Sequence, residues 1–241
     1  MSKIPADDNF TAAVLCIVKH AWLILLAAIF DTLDGVMARL TRSSSEFGVE
    51  LDSLSDLVSF GVAPAFMVYK LGLHTLGPVG TLSSAMLMVF GGLRLARFNV
   101  QLVGFDKDYF RGLPIPSSAI VVSSFVLLYF DRTFGILNQN AAPFLPFIAI
   151  VLSLLMVSTV RYDTIPKFSK RSIRLHPLKF SVFMIGVVVI IVTLGKALFW
   201  LFIIYISGGL IRWIVEHIKT LLSQRRHGEE EEDIEFSSFD I

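Results

Sequence analysis

Residues Asp31–Asp56 read DTLDGVMARLTRSSSEFGVELDSLSD and place four aspartates between two apolar stretches. On an α-helix of about 3.6 residues per turn, Asp31 and Asp34 share one face. Asp52 and Asp56 are four residues apart and therefore share a face of the next helix. The polar segment TRSSSEFG between the two pairs allows the helices to turn back and face each other. The pattern predicts four carboxylates that converge near one end of two neighbouring helices.

The composition around this stretch is that of a membrane protein. Hydrophobic residues make up 54% of the 241 residues and charged residues only 17%, with a mean hydropathy of +0.71. A soluble domain carries nearer to about 25% charged residues, and a disordered chain is far less apolar. A single cysteine, Cys16, excludes a disulfide-rich fold and is interpreted as a small apolar filler rather than a catalytic thiol.

Seven apolar segments approach the roughly 20 residues that a helix needs to cross a bilayer. They cover residues 21–40, 56–73, 77–97, 116–136, 143–160, 178–194 and 197–215. The apolar stretch Phe10–Val18 could extend the first span, although Lys19 and His20 interrupt it. We therefore predict an all-α, polytopic transmembrane helix bundle with about seven spans.

Three regions are expected along the chain. An N-terminal segment covers residues 1–20, the transmembrane domain residues 21–216, and an acidic tail residues 217–241. The tail contains five consecutive acidic residues, Glu229–Asp233, and is expected to be disordered.

Lysine and arginine residues alternate between the two ends of the predicted helices. They concentrate in four segments, near residues 39–56, 94–114, 161–179 and after 212, which hold 2, 4, 6 and 4 of them. The loops between these segments hold only Lys70, Arg132 and Lys196. The positive-inside rule places the basic end, which is also the end with the aspartates, in the cytoplasm.

The aspartates indicate metal-assisted chemistry. Close carboxylates repel one another, a divalent cation relieves the repulsion, and all-oxygen ligands favour Mg²⁺, Mn²⁺ or Ca²⁺ over zinc or copper. Gly35 lets a ligand approach the helix backbone, Ala38 keeps the same face shallow, and Arg39 offers a fork for phosphate. Any one aspartate alone would be explained by solvation of a helix end. The joint pattern instead indicates phosphoryl transfer from a diphosphate donor.

The pattern D-x2-D-G-x2-A-R-x8-G-x3-D-x3-D resembles the signature of the CDP-alcohol phosphatidyltransferase family. It matches at every fixed position: Asp31, Asp34, Gly35, Ala38, Arg39, Gly48, Asp52 and Asp56. The resemblance implies that Asp31, Asp34 and Asp52 hold Mg²⁺ or Mn²⁺. It implies that Asp56 lies beside the metal and takes the proton from the attacking alcohol. The residues it implies for binding the CDP-lipid are Gly35, Ala38, Arg39 and Ser45.

Two further segments resemble the branch of this family that uses serine as the acceptor. They are GGLRLARFN, Gly91–Asn99, and FRGLPIPSSA, Phe110–Ala119. Arg94 and Arg97 share a helical face, and either could bind the carboxylate of serine, with Asn99 adding amide hydrogen bonds. The alternative is that both arginines anchor the helix in the headgroup layer. Arg111 could hold an anionic lipid or substrate, or have no role in binding.

The resemblance implies an enzyme that joins CDP-diacylglycerol and L-serine to give phosphatidylserine and CMP. Its expected partners are these two substrates, membrane lipids and a second copy of the chain, and no nucleic acid is expected. We expect a multi-pass protein of a prokaryotic cytoplasmic membrane with its active site facing the cytoplasm. Members of the family usually carry another membrane helix before the first signature helix. Residues 1–20 are interpreted as a shortened form of that helix. The alternative is that the start of the sequence has been assigned too late.

Three alternatives stay open at this point. The acceptor could be glycerol 3-phosphate or an inositol phosphate, because Arg94, Arg97 and Arg111 could surround a phosphate. A transporter would favour ionisable groups near the bilayer midplane and inverted repeats, neither of which the sequence shows. An inactive homologue is disfavoured because all four aspartates are intact.

Overall fold

The computed structural model describes residues 8–41, 45–103, 112–131, 136–160, 162 and 196–238. Its α-helices are α1 (Asp8–Thr41), α2 (Glu46–Asp56), α3 (Ala63–Leu71), α4 (Gly77–Val103), α5 (Ile115–Tyr129), α6 (Phe144–Val157) and α7 (Lys196–Ser238). A π-helix, Leu57–Val62, joins α2 to α3, and a 3-10 helix, Leu73–Leu76, joins α3 to α4. Two short antiparallel strands, β1 (Phe130–Asp131) and β2 (Ile136–Leu137), lie between α5 and α6.

Four helical stretches of the described chain are long and apolar enough to cross a membrane. They are Cys16–Gly35, Phe47–Leu71, Leu73–Val100 and Ala197–Thr220. The helices α5 and α6 are apolar but shorter. The prediction of an all-α polytopic membrane bundle is thereby confirmed. Helices are present at six of the seven predicted spans, and the span predicted at 178–194 lies outside the described residues.

Helix α5 lies at the centre of the bundle, where it packs against α1, α6 and α7. It is apolar on all sides, and its residues Val121–Val126 are all buried. A helix that is apolar all round must be covered all round, which explains why α5 is central. Its 15 residues span only about 22 Å, less than the roughly 30 Å of a hydrocarbon core.

The segment before α5 is fixed to the end of α6. The amide of Gly112 donates to the carbonyl of Val160 at 2.8 Å, and that of Leu113 donates to the carbonyl of Leu155 at 3.0 Å. Gly112 has φ +87°, and an added Cβ would fall on the carbonyl of Met156, so only glycine suits this position. These bonds set the height at which α5 enters the bundle.

Two predicted boundaries were wrong. Helix α1 runs without interruption through Lys19 and His20. The reason is that isolated polar side chains on an exposed helix face leave the backbone hydrogen bonds intact, and a long lysine can extend toward water. The span predicted to reach residue 136 ends at Tyr129, because Phe130 is extended and pairs with Leu137.

The acidic tail differs from the expected disorder over residues 217–238. Helix α7 continues through this region to Ser238. The sequence explains the difference, since it has no proline there and is rich in Leu, Lys, Gln, Arg and Glu, which are strong helix formers. Their helix propensity outweighs the charge run that predicted disorder.

Candidate metal centre

Three aspartates from two helices meet near the end of α1 and the beginning of the second membrane span. Asp31 belongs to α1, and Asp52 and Asp56 belong to α2. One carboxylate oxygen from each lies within 4.8 Å of the other two. Asp31 and Asp56 are half-buried, whereas Asp52 is exposed. The structure thus brings together three of the four predicted carboxylates; we call them the aspartate triad.

The triad has the chemistry of a divalent cation site. Three carboxylates this close repel one another, and a divalent cation can relieve the repulsion while contacting all three groups. Oxygens bound to Mg²⁺ at about 2.1 Å lie at most about 4.2 Å apart, and those bound to Ca²⁺ reach about 5 Å. The three carboxylate oxygens of the triad lie within 4.8 Å of one another, which is close to these oxygen–oxygen separations. The residues therefore fit a hard cation with oxygen ligands.

Asp34 lies outside this group. It is one turn further along α1 and exposed, although it is close enough to Asp31 for electrostatic repulsion. Gly35 follows it, and a Cβ built there would meet no protein atom within 4 Å. The backbone of α1 includes Ala38 and Arg39, but their side chains lie outside the described residues. The exposed face of α1 beside the triad is therefore open at Gly35.

The beginning of α2 explains two further residues of the motif. Ser45 is the N-cap of α2, and its hydroxyl accepts a hydrogen bond from the amide of Gly48 at 3.0 Å. A Cβ at Gly48 would lie 3.1 Å from that hydroxyl oxygen, which is tight. An N-cap of this kind satisfies one of the free amides of the first helical turn. Ser45 and Gly48 therefore fix where α2 begins, one turn before Asp52.

A π-helix starts directly after Asp56. The amide of Ala63 bonds to the carbonyl of Val58, five residues back, and Pro64 has no amide hydrogen to donate. The wider turn brings the buried Gly61 against α4, where an added Cβ would lie 3.6 Å from the Cα of Met88. Single π-turns inside helices are frequent at functional sites. Sequence reasoning missed this element, for which Gly61 and Pro64 were the available signals.

Asn99 connects α4 to α2. Its side-chain amide donates to the hydroxyl of Ser53 at 3.0 Å and to a carboxylate oxygen of Glu50 at 3.4 Å. The Ser53 hydroxyl also lies 3.3 Å from the amide oxygen of Asn99. Ser53 is the residue after Asp52, so these bonds hold the part of α2 that carries the triad. The structure gives Asn99 a positioning role, where the sequence had suggested serine binding.

The two predicted arginines differ in their contacts. The Arg97 guanidinium donates to the carbonyl of Val157 at 3.1 Å, at the end of α6, where a cation complements the free carbonyls. Arg94 instead lies close enough to Asp56 and Asp31 to attract both electrostatically. Arg94 is therefore the arginine near the triad, and Arg97 bonds to the end of α6; Arg111 lies outside the described residues.

Sequence comparison shows which family and which known proteins this chain is similar to. The family model described as CDP-alcohol phosphatidyltransferase matches residues 10–157. A protein of Helicobacter pylori (strain J99) named CDP-diacylglycerol–serine O-phosphatidyltransferase is 37% identical over 218 residues, which cover 90% of this chain and 89% of that protein. A Methanocaldococcus jannaschii protein of the same name is 34% identical over 86% of this chain and 90% of its own length.

A third relative, from Methanothermobacter thermautotrophicus, is named archaetidylserine synthase. It is 41% identical over 145 residues, which cover 59% of this chain and 57% of that protein. All of the residues of the aspartate triad, together with Arg94 and Asn99, fall within the segment matched by the family model.

Replacing Asn99 tests its positioning role. Asn99→Ala should lower the affinity for Mn²⁺ by on the order of ten-fold, because outer residues that orient metal ligands commonly have effects of this size. The measurement is equilibrium dialysis of the purified protein with Mn²⁺. The matched control is Asn138→Ala, since Asn138 caps a turn beside the β1–β2 hairpin. Equal Mn²⁺ affinities in the two variants would contradict the role given to Asn99.

Proposed function

This chain belongs to the CDP-alcohol phosphatidyltransferase family, and on that premise we propose that it transfers the phosphatidyl group of CDP-diacylglycerol to L-serine. The products are phosphatidylserine and CMP. The observation that carries the proposal is the convergence of Asp31, Asp52 and Asp56, the residues that the family motif requires. L-serine as the acceptor is supported by two relatives named CDP-diacylglycerol–serine O-phosphatidyltransferase. Their similarity covers about nine-tenths of this chain.

The family is metal-dependent, and the triad supplies ligands for the metal. We assign Mg²⁺ or Mn²⁺ to Asp31, Asp52 and Asp56, with Asp34 as a further ligand from the next turn of α1. When bound, the ion would neutralise the diphosphate and stabilise the charge on departing CMP. The side chains of the protein carry out the remaining steps, which are proton transfer and substrate binding.

The transfer is a displacement at phosphorus. The serine hydroxyl oxygen forms a bond to the β-phosphorus, the one attached to diacylglycerol, and the bond from that phosphorus to the oxygen of CMP breaks. The hydroxyl proton passes to a carboxylate, a role that we assign to Asp56. Asp56 suits it because it is half-buried at the end of α2 and beside the cation site.

The donor lipid is assigned to the open face of α1. Gly35 leaves space next to the triad, so a nucleotide or diphosphate can approach the helix backbone there. We place Ala38 and Arg39 on the same side, with Arg39 binding phosphate. Ser45 serves α2 as its N-cap, and its contact with the CDP-lipid stays a prediction.

The acceptor is assigned to the side of the triad that Arg94 occupies. A cation there can attract the carboxylate of serine while the serine hydroxyl points toward Asp56. Arg97 and Asn99, whose side chains bond to Val157, Ser53 and Glu50, are left with structural roles in this proposal.

The protein is a membrane protein by its apolar helices, and several of its relatives are bacterial. We propose that the triad faces the cytoplasm of a prokaryotic cell, because the sequence pattern predicts the basic segments at the same end of the helices. CMP and serine can then exchange with water while the lipid chains stay in the bilayer. Homodimer formation, which the family resemblance implies, stays a prediction.

The proposed reaction is tested with purified protein, CDP-diacylglycerol and one acceptor at a time. L-serine should support CMP release in the presence of Mg²⁺ or Mn²⁺, chelation should stop it, and added metal should restore it. Glycerol 3-phosphate and inositol phosphate should give little release. Release with one of these acceptors and not with serine would contradict the assigned acceptor, and no release with any acceptor would contradict the proposed chemistry.

Gly35→Ala tests the donor face. The added methyl meets no protein atom, and alanine stabilises a helix interior by about 0.5–1 kcal/mol relative to glycine. The variant should therefore be at least as stable as the wild type. Its Michaelis constant for CDP-diacylglycerol should nevertheless rise by roughly 5- to 150-fold, as overpacking by about 1–3 kcal/mol predicts.

The control for this substitution is Gly72→Ala. Gly72 ends α3 with an extended backbone, φ 165°, and an added Cβ there also meets nothing within 4 Å. Gly72→Ala should leave the Michaelis constant for CDP-diacylglycerol unchanged. An unchanged constant in Gly35→Ala as well would show that the donor lipid does not approach α1 at this glycine.

A further inference from the structure

A groove lies on the outer side of the membrane span Phe47–Leu71, the span that carries Asp52 and Asp56. Its volume is about 330 Å³, and we call it the serine groove. Within the part of the chain that the structure describes, it is lined by Leu54, Ser55, Val58 and Ser59. Two of these side chains, Leu54 and Val58, are 61% and 60% exposed. The groove therefore opens toward the surroundings of the bundle and can be reached by a lipid.

The serine groove continues directly from the aspartate triad. Ser55 immediately precedes Asp56 and lies three residues after Asp52, so it is on the same side of α2 as Asp52. Ser59 follows Asp56 by three residues. Since a helix rises about 1.5 Å per residue, Ser59 lies roughly 4–5 Å further along the span than Asp56. The groove thus leads from the cation site into the membrane span.

The two hydroxyls of the groove are available as hydrogen-bond donors. Ser83 and Ser153 each donate to the carbonyl four residues back in their own helix, at 2.7 Å. Ser55 and Ser59 make no hydrogen bond within the described residues, and neither is fully buried. A hydroxyl that leaves water without gaining an acceptor costs free energy. In a membrane span, such hydroxyls therefore favour a ligand that brings acceptors.

The lining of the groove indicates which ligand this is. Two apolar side chains lie beside two hydroxyls, and none of the four residues carries a charge. A neutral hydroxyl suits a neutral carbonyl oxygen, whereas carboxylates and phosphates are bound best by cations. The ester region of a glycerolipid has this character, because its carbonyl oxygens lie where the polar part of the lipid meets the acyl chains.

We propose that the serine groove binds the ester carbonyls of the donor lipid through the Ser55 and Ser59 hydroxyls. The proposal rests on the proposed function, in which the phosphorus attached to diacylglycerol reacts beside the triad. The ester groups are a few covalent bonds from that phosphorus, and the acyl chains continue from them into the bilayer. A groove that begins beside Asp56 and runs into the span meets both requirements. The nucleotide stays at the open face of α1.

Donors with and without ester carbonyls test the groove directly. The ester donor is CDP-diacylglycerol, and the ether donor is a CDP-dialkylglycerol of equal chain length, which lacks both carbonyls. Dissociation constants are measured in detergent micelles with Mn²⁺ and without serine, so that turnover does not enter the result. The wild type should bind the ester donor more tightly than the ether donor, by roughly 2- to 12-fold for each hydrogen bond.

Ser55→Ala and Ser59→Ala should each weaken binding of the ester donor by that factor and leave binding of the ether donor unchanged. The double variant should bind the two donors equally well. Ser55→Thr keeps a hydroxyl and should keep the preference for the ester donor. The matched control is Ser207→Ala, because Ser207 is exposed on the α7 span and does not line the groove. This control should keep the full preference.

The outcomes separate the serine groove from the proposed function. If the alanine variants lose affinity for both donors equally, or for neither, the groove does not bind the esters, even where the wild type releases CMP with serine. A higher Michaelis constant for serine with unchanged donor binding would also overturn the proposal, because it assigns the groove to the acceptor. An ester preference that depends on the two serines, without serine-dependent CMP release by the wild type, would contradict the proposed function and support the groove.

Discussion

Three carboxylates held within 4.8 Å of one another repel, and several contacts of the surrounding chain keep them together. Ser45 fixes the start of α2, Asn99 ties its middle to α4, and the π-helix fixes its end. Arg94 lowers the repulsion from one side but carries only one positive charge. The divalent cation that we propose for this site would supply the rest, so that the geometry of α2 and the binding of the metal would depend on each other.

The bundle provides the rigid frame for this arrangement. Helix α5 is short and buried on all sides, and the segment before it is bonded to the end of α6. Arg97 bonds to the same end of α6 from α4. As a result α4 and the segment before α5 are both fixed to the end of α6. Arg97, which sequence reasoning grouped with Arg94, contributes a bond to this frame, and its predicted contact with serine stays a prediction.

The helices and the triad were predictable because their signals are local. Apolar length indicates a membrane helix, and the spacing of Asp52 and Asp56 places both on one face of α2. The link between Asn99 and Ser53 joins residues 46 positions apart, so no local pattern reveals it. The π-helix was missed because Gly61 and Pro64 are weak local signals, and the element also depends on how closely Gly61 approaches α4. Tyr162 likewise meets Tyr205 only through packing of α7.

The cation in the aspartate triad is the central claim, and counting bound Mn²⁺ tests it most directly. Titration followed by electron paramagnetic resonance should show one tightly bound ion per chain. Asp31→Asn and Asp52→Asn should each weaken that binding by at least roughly ten-fold, because a direct ligand matters at least as much as an outer one. The control Glu216→Gln removes an exposed carboxylate on α7 and should leave Mn²⁺ binding unchanged. Wild-type binding of Mn²⁺ in both aspartate variants would contradict the account.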